Sequence, residues 1–408
     1  MKPVAENLNS AVSDSAGSTN GIPSVTNGHE WSVLLAACSL ITAEEKHQRL
    51  RTLSSQPIDW QALFDLAGRH GVQQLLYQAI SESSASIPAH KALPMQQNHQ
   101  LNLRRALLLS GELIRIVDHL ASLGVETLPY KGLALAEAIY GDIALRQSGD
   151  IDLLIRPKDF SRVRDALQNI GFTPHSRLSE PQERAYLKSG YEYSFDGAAG
   201  PNLLEVQWAI QPKFYSIHFD MDGIFERAVT VNVAGRPMKT PSSEDLFLIL
   251  SAHAAKHVWG RLIWICDLAL ILTLPNLDWQ WIAAQAKALG IARIVDVTMI
   301  LANRLLAAEI PSAATQAGLK LNDNETLALV EEIQNHMGGE TAYNVESLAY
   351  FRLMLRLRER ASDRWRFVQR LVFTPGSSEW DAVRLPAPLF PLYRLVRLSR
   401  LVARLLHA

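Results

Sequence analysis

Cysteine is nearly absent: two residues in 408, Cys38 and Cys266, which stand far apart along the chain. That excludes a disulfide framework and a metal knuckle, and leaves two buried thiols in a reducing compartment. An excess charge of either sign is missing too. With 40 Lys and Arg against 41 Asp and Glu the formal charge is −1, so global electrostatics point neither to a nucleic-acid binder nor to an enzyme of acidic substrates. No apolar run reaches the ~18 residues that a membrane span needs, since WSVLLAACSLITA stops at Glu44, Glu45 and Lys46. Residues 1–30 lack both a basic n-region and an apolar h-region and are rich in Ser, Asn and Gly, which reads as a flexible leader rather than a targeting signal. Together these absences predict a soluble, cytoplasmic protein.

What is present divides into blocks, and the length allows two or three domains. Residues 31–123 carry apolar residues at helical spacing, with Pro88 and Pro94 punctuating a linker and a long helix from about Met95 to Leu123 stopped by Gly124. Residues 124–240 change texture. Here VETLPY and DIDLLIR read as strands, LALAEAIYG as a short helix ending at Gly141, KDFSRVRDALQNIGF as an amphipathic helix, and YEYSFD with NLLEVQWAI as two strands around a Gly-Pro turn. Connections of this kind predict an α+β fold with a small mixed sheet. Residues 241–408 are helical again, opened by Ser242 or Ser243 as N-cap with Glu244 and Asp245 in the first turn.

The chemistry concentrates in YKGLALAEAIYGDIALRQSGDIDLLIR, residues 130–156. On a strand, Asp150 and Asp152 share one face while Ile151 and Leu153 share the other. Two such close carboxylates resist joint ionisation unless a cation lies between them. Hard oxygen donors suit Mg²⁺ with phosphate oxygens completing its shell. Upstream, Lys131-Gly132 ends a strand and opens a helix, so Gly132 lets a phosphate approach backbone N–H groups. Downstream, LLEVQW places Glu205 and Gln207 on one face as a third acid and its neighbour. Arg146, four residues before Asp150, is within reach of a phosphate.

Gly132, then Asp150 with Asp152, then Glu205 resemble, in order, the turn, Asp-x-Asp strand and later acid of the nucleotidyltransferase superfamily. YKGLALAEAIYG, GDIDLLI, NIGF, LEVQW, HAAKHVWGRLIWICDLALIL and LPAPLFPLYRLVRLSRL resemble an uncharacterised bacterial group within it. The resemblance implies a polymerase-β-like nucleotidyltransferase core flanked by N- and C-terminal helical segments. It implies that Asp150, Asp152 and Glu205 are the catalytic and metal-holding residues, with one or two Mg²⁺ ions on the triphosphate and Glu205 on the second ion or the acceptor hydroxyl. The reaction implied is transfer of a nucleoside monophosphate to an acceptor, with pyrophosphate leaving and Lys131 beside the phosphates. Two places depart from the pattern. Leu133 stands where a second small turn residue is usual, and Gln207 where the narrower group commonly has His. These departures keep open a different class: a catalytically weakened nucleotide-binding or scaffold protein.

Beyond Pro241, His253, Lys256 and His257 share one helix face. They face a nucleotide or acceptor in a cleft, or are interfacial side chains satisfied by hydrogen bonds. The zinc-protease reading fails because no Glu follows His253. Asp267, inside WICDLAL, needs a partner if buried, and Lys256, Arg261 or a helix terminus are at hand. From residue 351 the balance turns basic, and Arg394, Arg397, Arg400 and Arg404 form one stripe of a helix whose other side is Leu and Val. Such a helix docks on its own domain, lies on an anionic membrane, or binds RNA. The acceptor expected is a small molecule, a carbohydrate precursor, or a peptide or protein. Nucleic acid fits less well, because the central block has no basic aromatic platform.

Overall fold

A computed structural model describes residues 28–83, 87–176, 178–198, 200–338, 347–374, 379, 383 and 385–407. Of the leader expected over 1–30, residues 1–27 lie outside them, while His29 and Glu30 open the first helix. Four helices come first: α1 (His29–Cys38), α2 (Ala43–Ser54), α3 (Trp60–His70) and α4 (Gln73–Ser83). The next, α5 (Ala89–Ser122), is longer than expected. Pro88 is its N-cap, and Pro94 lies within its second turn, where it removes the donor to a single carbonyl, that of His90, close to the helix start. The expected linker between the two prolines is therefore helix. Gly124 follows with φ +71°, the left-handed stop.

The strands β1 (Thr127–Pro129), β2 (Ile151–Ile155), β3 (Thr173–Pro174), β4 (Glu192–Gly197) and β5 (Gly200–Gln207) form one sheet in the order β1-β2-β5-β4-β3. Only β2 and β5 run parallel among its neighbours; the other pairings are antiparallel. The mixed α+β architecture is as expected. Between β1 and β2 the chain makes α6 (Gly132–Leu135), continued as a π turn over Ala136–Tyr140 and ended by Gly141 at φ +69°. Between the later strands lie α7 (Phe160–Asn169) and α8 (Glu180–Ser189).

Alternation along the strands gives this sheet two different faces. Ile151, Leu153, Ile155, Leu204, Val206, Tyr193 and Phe195 pack with Phe160, Val163 and Leu167 of α7 and with Leu113, Ile116 and Leu120 of α5. The opposite face contributes Leu128, Tyr130 and Leu154 to a second core, shared by α1 to α4 and the helices that follow the sheet. The alternation pattern alone implies this split, since a strand with two buried faces cannot slip by one residue without exchanging them.

After the sheet come α9 (Met221–Glu226) and a hairpin, β6 (Val229–Val233) with β7 (Arg236–Thr240), which the sequence reading passed over. Its turn residues Ala234 and Gly235 both have positive φ, +48° and +80°, as a tight two-residue hairpin requires. Ala-Gly lacks the Asn-Gly or Asp-Gly signal, which is why it went unread. The remaining helices are α10 (Ser243–Lys256), α11 (Leu262–Leu272), α12 (Trp279–Leu289), α13 (Ala292–Leu306), α14 (Ser312–Gln316), α15 (Asn324–Met337), α16 (Leu348–Arg356), α17 (Ala361–Phe373) and α18 (Tyr393–His407). Ser242 caps α10 by accepting from the Asp245 N–H at 3.2 Å. None of the helices among the described residues is long and apolar enough to cross a membrane.

Three buried polar contacts tie the parts together. The two cysteines, distant in sequence, meet: the Cys266 thiol of α11 is hydrogen-bonded to Cys38 of α1, and burial pushes its pKa well up. His70 of α3 accepts the Leu262 N–H on Nδ1 at 3.1 Å, satisfying an orphan donor at the start of α11. Arg146 makes three contacts with Asp267 of α11, at 2.9, 3.2 and 3.0 Å, and Tyr140 donates to the same carboxylate at 2.8 Å. The partner of Asp267 is thus Arg146 rather than Lys256, Arg261 or a helix end. It follows that Arg146, expected at the phosphates, is committed to a buried ion pair, because an unpaired carboxylate at that depth would be far costlier.

Two measurements test these ties. Burial, with Arg69 and Arg261 nearby, lowers the His70 pKa to about 4. Between pH 4 and 6.5 the unfolded chain binds a proton that the folded chain refuses, so this contribution is complete above about pH 6.5 and is lost as pH falls, by as much as about 3 kcal/mol. Denaturant titrations from pH 4 to 7 should show that slope reduced in His70→Gln. At the ion pair, Arg146→Met or Asp267→Leu alone should cost about 3–5 kcal/mol and the two together much less, as read from a double-mutant cycle.

Candidate active site

The strand register assembles the site. Asp152 of β2 lies directly opposite Glu205 of β5, which lies opposite Ser194 of β4, and Gln207 lies opposite Glu192. Paired residues on adjacent strands project to the same side, so Asp152, Glu205, Gln207 and Glu192 share a face. Tyr130, one residue beyond the Pro129–Leu153 pair, joins them. Asp150 immediately precedes β2.

Gln207 holds this group together. Its amide nitrogen lies 3.2 Å from Asp152 Oδ1, 3.2 Å from Glu205 Oε2 and 3.4 Å from Glu192 Oε2, and its amide oxygen accepts from the Tyr130 hydroxyl. An amide carries two donors and an acceptor, and here each is used. Lys131 reaches into the same cluster, with Nζ 3.1 Å from Asp152 Oδ1 and 4.8 Å from the centre of the Tyr130 ring. It is a half-buried cation rather than a solvated one. On the far side, Lys256 donates to the Tyr191 hydroxyl at 3.0 Å and lies over that ring, while the hydroxyl donates to Glu192 Oε1 at 2.5 Å.

The charges on this face are unbalanced toward the negative. Burial, then the charge of Asp152, raises the Asp150 pKa to about 6, against the opposing pull of Lys131, Arg146 and Arg105. Burial with Glu192 and Asp152 holds Glu205 well above the ordinary range. Burial works against the Lys131 ammonium, yet Asp152, Tyr130 and Glu205 outweigh it and keep it protonated. Burial lowers Lys256, and with Lys131 close by it drives His253 well below 6.5; His257 is lowered in the same way by burial and Lys256. Both histidines are neutral, stacked around Trp264 at 5.3 and 5.2 Å.

Gly132 sits at the turn with φ +52°, and a Cβ there would stand 3.4 Å from the Asp150 carbonyl oxygen and from Ser148 Oγ. Those are ordinary contact distances, so it is the left-handed backbone that calls for glycine here. Leu133 does not line this turn, since its side chain is buried in the core under the apolar face. Ser148 Oγ is buried with no hydrogen-bond partner among the described residues.

Of the residues expected at the site, Lys131, Gly132, Asp150, Asp152 and Glu205 come together. Lys256 joins them through Tyr191 and Glu192. His253 and His257 stand behind as a neutral pair. Arg146 is turned to Asp267. Tyr130, Tyr191 and Glu192 went unread, although the alternation of YEYSFD against LLEVQW places Glu192 on the acidic face. Among the described residues no group of three or more His, Cys, Asp or Glu side chains is gathered closely enough to hold a metal ion. Donor chemistry nonetheless fits a hard cation: oxygen ligands only, in negative surplus, with the Lys131 ammonium and the Gln207 amide already drawn onto the oxygens.

The family model for uncharacterised nucleotidyltransferases matches residues 56–307, more than half of the chain. A solved structure described as an antigenic nucleotidyltransferase-like protein from Paracoccidioides brasiliensis is similar over 50% of this chain and 95% of that one, with 19% identity and a TM-score of 0.31. So distant a likeness carries no argument. No curated protein matches. The sheet order, the acids on one of its faces and the family match converge: this chain belongs to the uncharacterised nucleotidyltransferase family of the nucleotidyltransferase superfamily.

Proposed function

We propose that the protein is a Mg²⁺-dependent nucleotidyltransferase that moves a nucleoside monophosphate from a nucleoside triphosphate to an acceptor hydroxyl or similar group. One observation carries this reading: Asp152 and Glu205 face each other across neighbouring parallel strands, beside Asp150, on a buried face short of positive charge. Asp150, Asp152 and Glu205 would hold the metal, which when bound neutralises the triphosphate and the departing pyrophosphate. Gln207, itself held by Tyr130, keeps one oxygen each of Asp152 and Glu205 close to its amide nitrogen, which limits the reorganisation the two carboxylates would need. Lys131, already protonated beside Asp152, is placed to follow the phosphates. Gly132 leaves room for them at the turn.

In the transfer, the acceptor oxygen bonds to the α-phosphorus and the bond to the bridging oxygen breaks, with both electrons leaving on pyrophosphate. The acceptor proton passes to a carboxylate of the cluster, Glu205 being the candidate. His253 and His257, neutral and packed on Trp264, suit hydrogen bonding to a base or an acceptor better than charge neutralisation. A small molecule, a carbohydrate precursor, or a peptide or protein is the favoured acceptor, since this face offers carboxylates where a polynucleotide would need cations.

The test is pyrophosphate release from each labelled nucleoside triphosphate with Mg²⁺ and a metabolite extract as acceptor source. Asp150→Ala and Asp152→Ala should each lower it by at least about a hundredfold, with Glu205→Gln nearly as severe. Triphosphate binding by the wild type without release of pyrophosphate would overturn the enzyme in favour of a nucleotide-binding scaffold.

A further inference from the structure

We propose that the segment containing α18 docks on an anionic lipid surface. Two observations, both outside the candidate active site, meet there. The first is how charge is distributed along the chain. Residues 351–408 hold twelve Arg against four acidic residues, whereas residues 1–350 hold 28 Lys and Arg against 37 acids. A chain that is almost neutral as a whole is therefore strongly basic at one end and acidic elsewhere.

The second is the way α18 is turned. An amphipathic helix docked on its own protein buries its apolar stripe and shows its cations to water. Here the arrangement is inverted. The inward side carries the buried Tyr393, together with Arg397, whose side chain is only 12% exposed and lies 3.3 Å from Glu379, and Arg400, 3.9 Å from the same carboxylate. Arg397 also donates to the Leu371 carbonyl of α17 at 3.1 Å. The outward side carries leucines. Leu395 and Leu398 on the helix are 61% and 40% exposed, and Leu389 and Leu392, in the 3-10 turn Ala387–Leu392 that leads into it, are 44% and 41% exposed. Arg394 is exposed beside them, and Arg360, Arg364 and Trp365 are exposed at the start of α17.

A lipid surface satisfies both features. Leucines enter the acyl boundary while arginines remain among anionic headgroups, and each cation near such a surface adds to the attraction. RNA would use the arginines but leave the leucine stripe in water. A second copy of the chain would cover the leucines but bring the same excess of positive charge against itself. The helix would lie in the interface, since it does not cross.

Flotation of the full chain with vesicles of phosphatidylcholine plus phosphatidylglycerol, and of phosphatidylcholine alone, tests this. Binding should be seen on the anionic vesicles, be weak on the neutral ones and fall as salt is raised. The exposed-site variant Leu395→Glu/Leu398→Glu should lose it at least tenfold with its thermal melt unchanged. A second variant, Arg360→Glu/Arg364→Glu, should weaken binding to anionic vesicles without touching the stripe. Absence of flotation, flotation indifferent to the leucine variant, a concentration-dependent dimer dispersed by that variant without lipid, or RNA binding abolished by the arginine variant in place of flotation would each overturn the proposal.

Discussion

The structure depends on burying both faces of one small sheet when only one of them is apolar. The face that meets α7 and α5 is built from Ile, Leu, Val and Phe and needs nothing more than packing. The other places Asp152, Glu205 and Glu192 beneath the helices that follow the sheet. Removing carboxylates from water is expensive unless each finds a donor or a cation. Gln207 meets much of that requirement through a single amide, with Lys131 supplying a charge and Tyr130 fixing the amide's orientation. Gln at this position can be understood physically: its two donors serve three acids, where an imidazole held neutral has one donor to give.

The same constraint extends into the helical body. Burial of the loop before β2 places Arg146 beside α11, and Asp267 answers it. Burial of the end of α10 places Lys256 near Glu192, with Tyr191 between them. Burial first, and the surrounding cations after it, lower the histidines of that helix and keep them neutral. Arg146 is paired with Asp267 and Lys131 with Asp152, and Lys256 reaches Glu192 through Tyr191, so the balance at the sheet itself remains negative. That residual imbalance, rather than any one residue, is what sets this face apart from the apolar one.

Local signals were legible and long-range ones were not. DIDLLI and LLEVQW alternate cleanly, so the strands, their faces and the sharing of a side by Asp152 and Glu205 could be read from the chain. Gly132 could be read because a left-handed turn leaves few alternatives. The partner of Arg146 could not, for Asp267 lies 121 residues away and no periodicity encodes which helix covers a loop. The same holds for Cys38 and Cys266, whose meeting depends on how α1 packs on α11. Pro94 misled in the other direction. In sequence it looks like a break, yet the helix continues through it at the loss of the bond to the His90 carbonyl. The hairpin of β6 and β7 is weakly marked because its Ala-Gly turn lacks the usual Asn or Asp.

The basic segment is not mechanically independent of the site. Arg358, buried, donates to the Tyr215 carbonyl in the loop after β5 and to the Met354 carbonyl, and lies 4.1 Å from the centre of the Phe367 ring. Tyr350 of α16 donates to the carbonyl of Lys256, the last residue of α10. These contacts join α16 and α17 to the helix end that presents His253, Lys256 and His257. A displacement of α17 must either break them or be transmitted to that helix end, since close-packed interiors shift between discrete arrangements rather than deform freely. Whatever engages the arginine-rich helices acts on a segment bonded to the wall behind the acidic face.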